Sequence, residues 1–218
     1  MKRKLKICGV NTIQSVKASI KADYIGFVFY GKSPRFVNAI KAKELSIYCS
    51  EKQKKVGLFV DSENSVIEYI AEYVGLNYIQ LHGNENLEKI MYLKEKLKLP
   101  IIKSIAISSK EDCHKIKYYE NFCDMILLDS KPSINTLPGG TGKSFDWKII
   151  KDIIFTKDWM LAGGLNEKNI IEALKVTNAP IVDVSSGLES SKGVKCSVKI
   201  KKFLEIIKSQ ESEVYEKN

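Results

Sequence analysis

Eight short apolar runs, each followed by a stretch of helical periodicity, constrain this 218-residue chain more than any other feature. The runs are Leu5–Cys8, Tyr24–Phe29, Val56–Val60, Tyr78–Leu81, Ile101–Ser104, Met125–Leu128, Trp159–Ala162 and Ile181–Val184. They are rich in Ile, Val, Leu and aromatic residues and mostly do not alternate with polar ones, as parallel strands covered by helices should not. The stretches between and after them are Asn11–Lys21, Ala39–Ser50, Ser65–Val74, Leu87–Leu97, Glu111–Tyr118, Phe145–Ile154, Asn169–Thr177 and Val198–Lys208. In Ser65–Val74, for example, Val66, Ile67, Ile70, Ala71 and Val74 fall on one stripe. Strict alternation of eight with eight predicts an α/β chain folded as a single (β/α)8 TIM barrel, with an open doubly wound sheet as the alternative. Residues 1–208 are expected to form the barrel domain, and residues 209–218 a polar C-terminal tail that frays.

Composition narrows the function classes. At 44% hydrophobic and 28% charged, the chain has the make-up of a globular domain with a sizeable core. No apolar run approaches the ~18 residues of a membrane span. The basic start has too short an apolar stretch for a signal peptide, so the cytoplasm is the expected compartment. The net charge of +9 comes mostly from lysines spread along helices. A nucleic-acid surface calls for clustered Arg with interleaved aromatics, so neither nucleic acid nor membrane is an expected partner. Mild positive charge suits a phosphorylated small molecule. Five cysteines without C-x-x-C spacing and only two histidines argue against a disulfide framework and a histidine-rich metal site. No metal and no cofactor are expected. The oligomeric state is left as monomer or homodimer.

In a barrel of this kind the chemistry lies at the carboxyl ends of the strands. Cys8 ends the first run and is either a small core residue or a thiolate base. Lys6, two residues earlier, points to the same side, and a nearby cation is expected to lower the thiol pKa. Asp129 follows Met125–Leu128 and is either a capping carboxylate or a partly desolvated acid kept protonated by its apolar surroundings. Arg35 follows Ser33-Pro34, in a loop stiffened by proline. It is either a surface cation or a fork for a planar carboxylate. His82 ends the fourth run as a possible polar substrate contact, whereas His114 falls inside a helical pattern. Gly163-Gly164 and Ser185-Ser186-Gly187 end the seventh and eighth runs and resemble a backbone phosphate cradle. The long loop Ser130–Ser144, with Pro138-Gly139-Gly140-Thr141-Gly142-Lys143, is either a surface loop or a lid, and it lacks P-loop spacing.

Taken together these motifs resemble the phosphoribosylanthranilate isomerases over nearly the whole chain. The matching segments are Lys6-Ile7-Cys8-Gly9; Ala22-Asp23 with Gly26-Phe27-Val28-Phe29; Ser33-Pro34-Arg35; and Val56-Gly57-Leu58-Phe59-Val60. They continue with Gln80-Leu81-His82-Gly83, Leu128-Asp129, Gly139-Gly140-Thr141-Gly142, Phe145-Asp146-Trp147, Leu161-Ala162-Gly163-Gly164-Leu165 and Asp183-Val184-Ser185-Ser186-Gly187-Leu188-Glu189. The resemblance implies an Amadori rearrangement of N-(5-phosphoribosyl)anthranilate without a cofactor. Asp129 would be the general acid and Cys8 the base. Arg35 would hold the anthranilate carboxylate, with His82 as a further substrate contact. Gly163, Gly164, Asp183, Ser185, Ser186 and Gly187 would form the phosphate site. One departure is visible: Cys196 follows Lys195 where the family usually carries aspartate, at the start of the last helix.

Three other readings compete. The histidine-pathway Amadori isomerases use a carboxylate at the position of Cys8. A metal-dependent epimerase needs more strand-end histidines. A catalytically dead barrel acting as a ligand-binding regulator has no reason to keep both Cys8 and Asp129.

Overall fold

Why the eight runs become strands follows from their composition: β-branched and aromatic residues fit a pleated, fully covered surface. In the computed structural model, which describes residues 3–131 and 144–215, all eight form strands. They are β1 Lys4–Cys8, β2 Tyr24–Val28, β3 Lys54–Phe59, β4 Tyr78–Leu81, β5 Ile101–Ile107, β6 Met125–Ser130, β7 Trp159–Leu161 and β8 Ile181–Val184. Each pairs in parallel with the next, and β8 closes onto β1, so the barrel is closed and the open doubly wound alternative is excluded.

The described helices are α1 Ile13–Ala18, α2 Ala39–Ser46, α3 Asn64–Val74, α4 Leu87–Leu97, α5 His114–Glu120, α6 Ile170–Thr177 and α7 Ser197–Tyr215. Three are begun by side chains that accept from an orphan backbone N–H: Thr12 before α1, Asn38 before α2 and Asn86 before α4. A short hairpin, β9 Glu189–Ser191 and β10 Val194–Lys195, follows β8.

Two expectations are corrected. The helix expected over Phe145–Ile154 is only a 3-10 turn, Trp147–Ile150. A 3-10 turn eclipses positions i and i+3, which drives both Trp147 and Ile150 into the core, and the β-branched Ile149-Ile150 pair disfavours a longer α-helix. The last helix does not stop near Lys208 but runs on to Tyr215, through part of the expected tail. Most of the long loop Ser130–Ser144, read as either a surface loop or a lid, lies outside the described residues.

Strand residues alternate between two environments. Leu5, Ile7, Ile25 and Phe27 join the large layer between strands and helices. Tyr24, Val56, Ile102, Met125, Leu127, Met160 and Ile181 pack together inside the barrel. At its carboxyl-terminal end Cys8, Val28 and Leu58 form a third cluster, flanked by Tyr30 and Val60. Among the described residues no helix is long and apolar enough to cross a membrane.

Candidate active site

A cleft opens at the carboxyl-terminal end of the barrel. Its walls include Cys8, Arg35, His82, Asp129, Gly163, Gly164, Asp183, Ser185 and Ser186. Nine of the ten residues singled out from the sequence therefore share one cleft. The tenth, Gly187, packs at the edge: a Cβ there would lie 2.0 Å from the Leu165 carbonyl oxygen, so it lets the loops after β7 and β8 touch.

Cys8 sits against β2, opposite Gly26 in the strand register. A Cβ on Gly26 would lie 2.9 Å from the Cys8 sulfur, so glycine is what makes room for the thiol. Lys6 lies below it, fully buried, and the closure of the barrel sets it opposite Asp183. Lys6 Nζ donates to Asp183 Oδ1 at 3.0 Å. Burial alone strips charge from Lys6, but the Asp183 carboxylate and the Cys8 sulfur more than restore it, and its pKa is raised. The expected depression of the Cys8 pKa is not found. Burial is the largest influence and pushes the thiol above its ordinary value; Lys6 and Lys195 pull it down, while Asp183 pushes it further up. The cation beside the sulfur is already paired with a carboxylate, so it offsets only part of the desolvation.

Asp129 is buried at the end of β6. Its Oδ1 accepts from the Ser130 backbone N–H at 2.7 Å, and its Oδ2 lies 3.3 Å from His82 Nε2. Gln80, fully buried two residues before His82, places Nε2 at 3.0 Å from His82 Nδ1. With the Gln80 amide donating, the imidazole proton is on Nε2 and faces Asp129. His82 is thus first of all the partner of Asp129.

His82 is held from behind. Buried Lys103, on β5, donates to the Gly83 carbonyl at 2.7 Å and to Glu85 Oε2 at 2.9 Å. Glu85 Oε1 in turn accepts from the Asp61 N–H at 3.0 Å and the Gly83 N–H at 3.1 Å.

Arg35 is not a free surface arginine. It is 7% exposed, and it donates from Nε to Glu189 Oε1 at 2.6 Å and from Nη2 to Oε2 at 3.0 Å. Also lining the cleft, Gly163 and Gly164 adopt φ of +88° and +64°, a backbone available cheaply to glycine and able to turn successive N–H groups toward one concavity. Ser185 and Ser186 face the same part of the cleft. Asp183 differs from these residues. Its carboxyl is pushed up by burial, Lys6 offsets only part of that, and its Oδ1 is engaged by Lys6 Nζ at 3.0 Å.

Sequence reasoning missed the roles of Glu189, Gln80 and Lys103. The signal for the last two was present: each is a long polar residue inside an otherwise apolar strand, and such residues are kept only where they are satisfied. Among the described residues no group of three His, Cys, Asp or Glu side chains could hold a metal ion.

The family described as N-(5'phosphoribosyl)anthranilate (PRA) isomerase matches residues 5–206. An N-(5'-phosphoribosyl)anthranilate isomerase of Agrobacterium fabrum is 39% identical over 210 residues, covering 95% of this chain and 96% of the relative. The crystal structure of phosphoribosyl anthranilate isomerase from Thermotoga maritima superposes with a TM-score of 0.84 at 35% identity, over 95% of this chain and 99% of that one. A phosphoribosyl anthranilate isomerase solved with reduced 1-(o-carboxyphenylamino)-1-deoxyribulose 5-phosphate gives 0.82 at 33%, with the same coverage.

Proposed function

This chain belongs to the N-(5'-phosphoribosyl)anthranilate isomerase family, and we propose that it performs the Amadori rearrangement of tryptophan biosynthesis with the residues of the cleft just described. The substrate is N-(5-phosphoribosyl)anthranilate and the product 1-(2-carboxyphenylamino)-1-deoxyribulose 5-phosphate. The observation that supports this most is that Cys8 and Asp129 line one cleft together with Arg35, Gly163, Gly164, Ser185 and Ser186.

Asp129, as the carboxylic acid, gives its proton to the furanose ring oxygen. The C1–O bond breaks, and the nitrogen lone pair forms the C1=N iminium. Cys8, as thiolate, then takes the C2 proton. The C–H electrons form the C1=C2 bond and the C=N pair returns to nitrogen, giving an enolamine that tautomerises to the ketone. No electrons leave the substrate, so no redox partner is required.

The raised thiol pKa suggests an order for these steps. Before ring opening, burial keeps Cys8 protonated. The iminium then places a positive charge beside the sulfur, and an adjacent cation favours the thiolate. Ring opening thus prepares the base that completes the reaction.

Arg35 holds the anthranilate carboxylate through the edge of its guanidinium that Glu189 leaves free. Gly163, Gly164, Ser185, Ser186 and Gly187 hold the phosphate. Asp183 is reassigned to holding Lys6 beneath Cys8, and His82 to orienting the Asp129 carboxyl. We infer a cytoplasmic enzyme acting as a monomer or homodimer. Purified Cys8→Ser and Asp129→Asn should each keep the fold, bind a product analogue and lose at least ~10²-fold in kcat, the usual worth of an acid or base. Near-normal turnover of either variant removes that residue from the mechanism.

A further inference from the structure

We propose that Glu189 is a positioning residue that fixes the seat of the substrate's aryl carboxylate, acting through Arg35 and, by way of Lys195, through the serine end of the cleft. The inference rests on the functional reading above.

Glu189 opens β9, just beyond β8, and is 7% exposed. Its carboxylate accepts four hydrogen bonds: from Arg35 Nε at 2.6 Å, Arg35 Nη2 at 3.0 Å, Lys195 Nζ at 2.7 Å and the Gly193 N–H at 3.0 Å. An ionised carboxylate offers about four acceptor directions. Those of Glu189 are all taken, so it does not itself bind a ligand; it organises the two cations.

The geometry of the Arg35 pair is specific. Nε and Nη2 form the side edge of the guanidinium, and Glu189 occupies it. The end edge remains: Nη1 and the second N–H of Nη2, a parallel pair of donors suited to another planar carboxylate. The plane of the guanidinium, and with it the direction of that edge, is set by Glu189. With one anion between two cations, this corner keeps a net single positive charge, which a carboxylate substituent can neutralise.

Lys195 carries the arrangement further. Its side chain is fully buried, and besides Glu189 it donates to the Ser185 carbonyl at 3.2 Å and to Ser185 Oγ at 3.3 Å. A continuous chain, Arg35–Glu189–Lys195–Ser185, therefore runs along one wall from the carboxylate end to the serine end. Its Arg35, Glu189 and Lys195 side chains are buried and of limited freedom, so it holds the separation of the two anion seats. A substrate with a carboxylate and a phosphate at the matching distance gains from both. Consistent with this, burial works against the charge on Glu189 but its donors win, and its pKa is lowered.

The test is the ratio of two inhibition constants. One inhibitor is the reduced product analogue with its o-carboxyphenylamino group; the other is the same molecule with a plain phenylamino group. A charge-assisted bidentate pair is worth ~10–100-fold, which is the expected preference of the wild type for the carboxylate. In Glu189→Gln, of equal shape but uncharged, that preference should shrink to about threefold or less. KM should rise about tenfold or more while kcat changes by about threefold or less. A purely structural residue weakens both inhibitors equally and leaves the ratio unchanged; that result, or wild-type kinetics, overturns the proposal. If Glu189→Gln does not fold by circular dichroism, Glu189→Asp is used. It keeps the charge but draws Arg35 back by one methylene, and the ratio should fall as well. Failure of the wild type to turn over phosphoribosylanthranilate counts against the functional reading instead. Calorimetry with the two inhibitors still reads the ratio in that case.

Discussion

Cys8 has two lysines for neighbours and still holds its proton more tightly than an ordinary thiol. Its reactivity follows. The thiolate fraction rises about tenfold per pH unit below the pKa, so alkylation of Cys8 should be slow near pH 7 and still climbing beyond pH 9. Cys196 has the reverse shift: backbone N–H groups of Lys199 and Val198, at the start of α7, lower its pKa. Burial pushes Cys49 up to about 11 and Cys123 up to about 12. Iodoacetamide at pH 7.5, as an estimate of a working pH, should therefore label Cys196 first, and a bound product analogue should protect Cys8 but not Cys196. Mass spectrometry of the labelled peptides checks the order; rapid, pH-insensitive labelling of Cys8 contradicts it. Lys6→Met is expected to leave Asp183 buried without its cation and to destabilise the fold by roughly 3–5 kcal/mol in denaturant titrations. A loss below ~1 kcal/mol would show that the pair is not the buried brace it resembles. The sequence placed both residues near the site but not against each other, because their pairing depends on a register joining strands 177 residues apart. The thiol shift was misread because a lysine two residues away is visible in sequence, whereas the depth of burial, the largest influence, and the carboxylate opposite that lysine are not.

At the scale of elements, the brace behind β4 decides how firmly His82 faces Asp129. Glu85 gathers the Asp61 and Gly83 N–H groups and the Lys103 ammonium into one buried knot. Glu85→Gln removes the charge that balances Lys103 and should cost roughly 3–5 kcal/mol of stability. It should also lower kcat more than it raises KM, since the proposed anion seats lie elsewhere in the cleft; unchanged turnover would show that the Gly83 loop does not need the knot. The eight strands were legible because each is a continuous apolar run. Helices with clear stripes and caps were legible too: Leu87–Leu97 is found with the expected bounds. The stretch Phe145–Ile154 was not, since a buried 3-10 turn and an amphipathic helix place apolar residues at similar spacing, and only packing distinguishes them. Arg35 was placed in the site by its proline-stiffened loop, but its partner Glu189, 154 residues away, had no local signature.

For the molecule as a whole, closure of the barrel is what brings the site together. β1 supplies the proposed base and β6 the proposed acid, His82 follows β4, and the loops after β7 and β8 carry the glycines and serines; only a closed ring makes β1 and β8 neighbours. The net charge of +9 is not concentrated for polyanions, and binding to random duplex DNA at physiological salt should stay within the non-specific range of about 10⁻⁴–10⁻⁶ M. Sequence-selective binding below that range would assign the surface a second role. The central claim is that this cleft isomerises phosphoribosylanthranilate with the Cys8–Asp129 pair. Its most direct test is the loss of anthranilate fluorescence when purified protein meets freshly generated phosphoribosylanthranilate, beside a parallel assay with the histidine-pathway aminoaldose substrate. The account predicts turnover of the first substrate with product confirmed by mass, and at least ~10²-fold lower kcat/KM for the second, which lacks the aryl carboxylate that Arg35 meets. No turnover of phosphoribosylanthranilate by folded protein, or a preference for the histidine-pathway substrate, would contradict it.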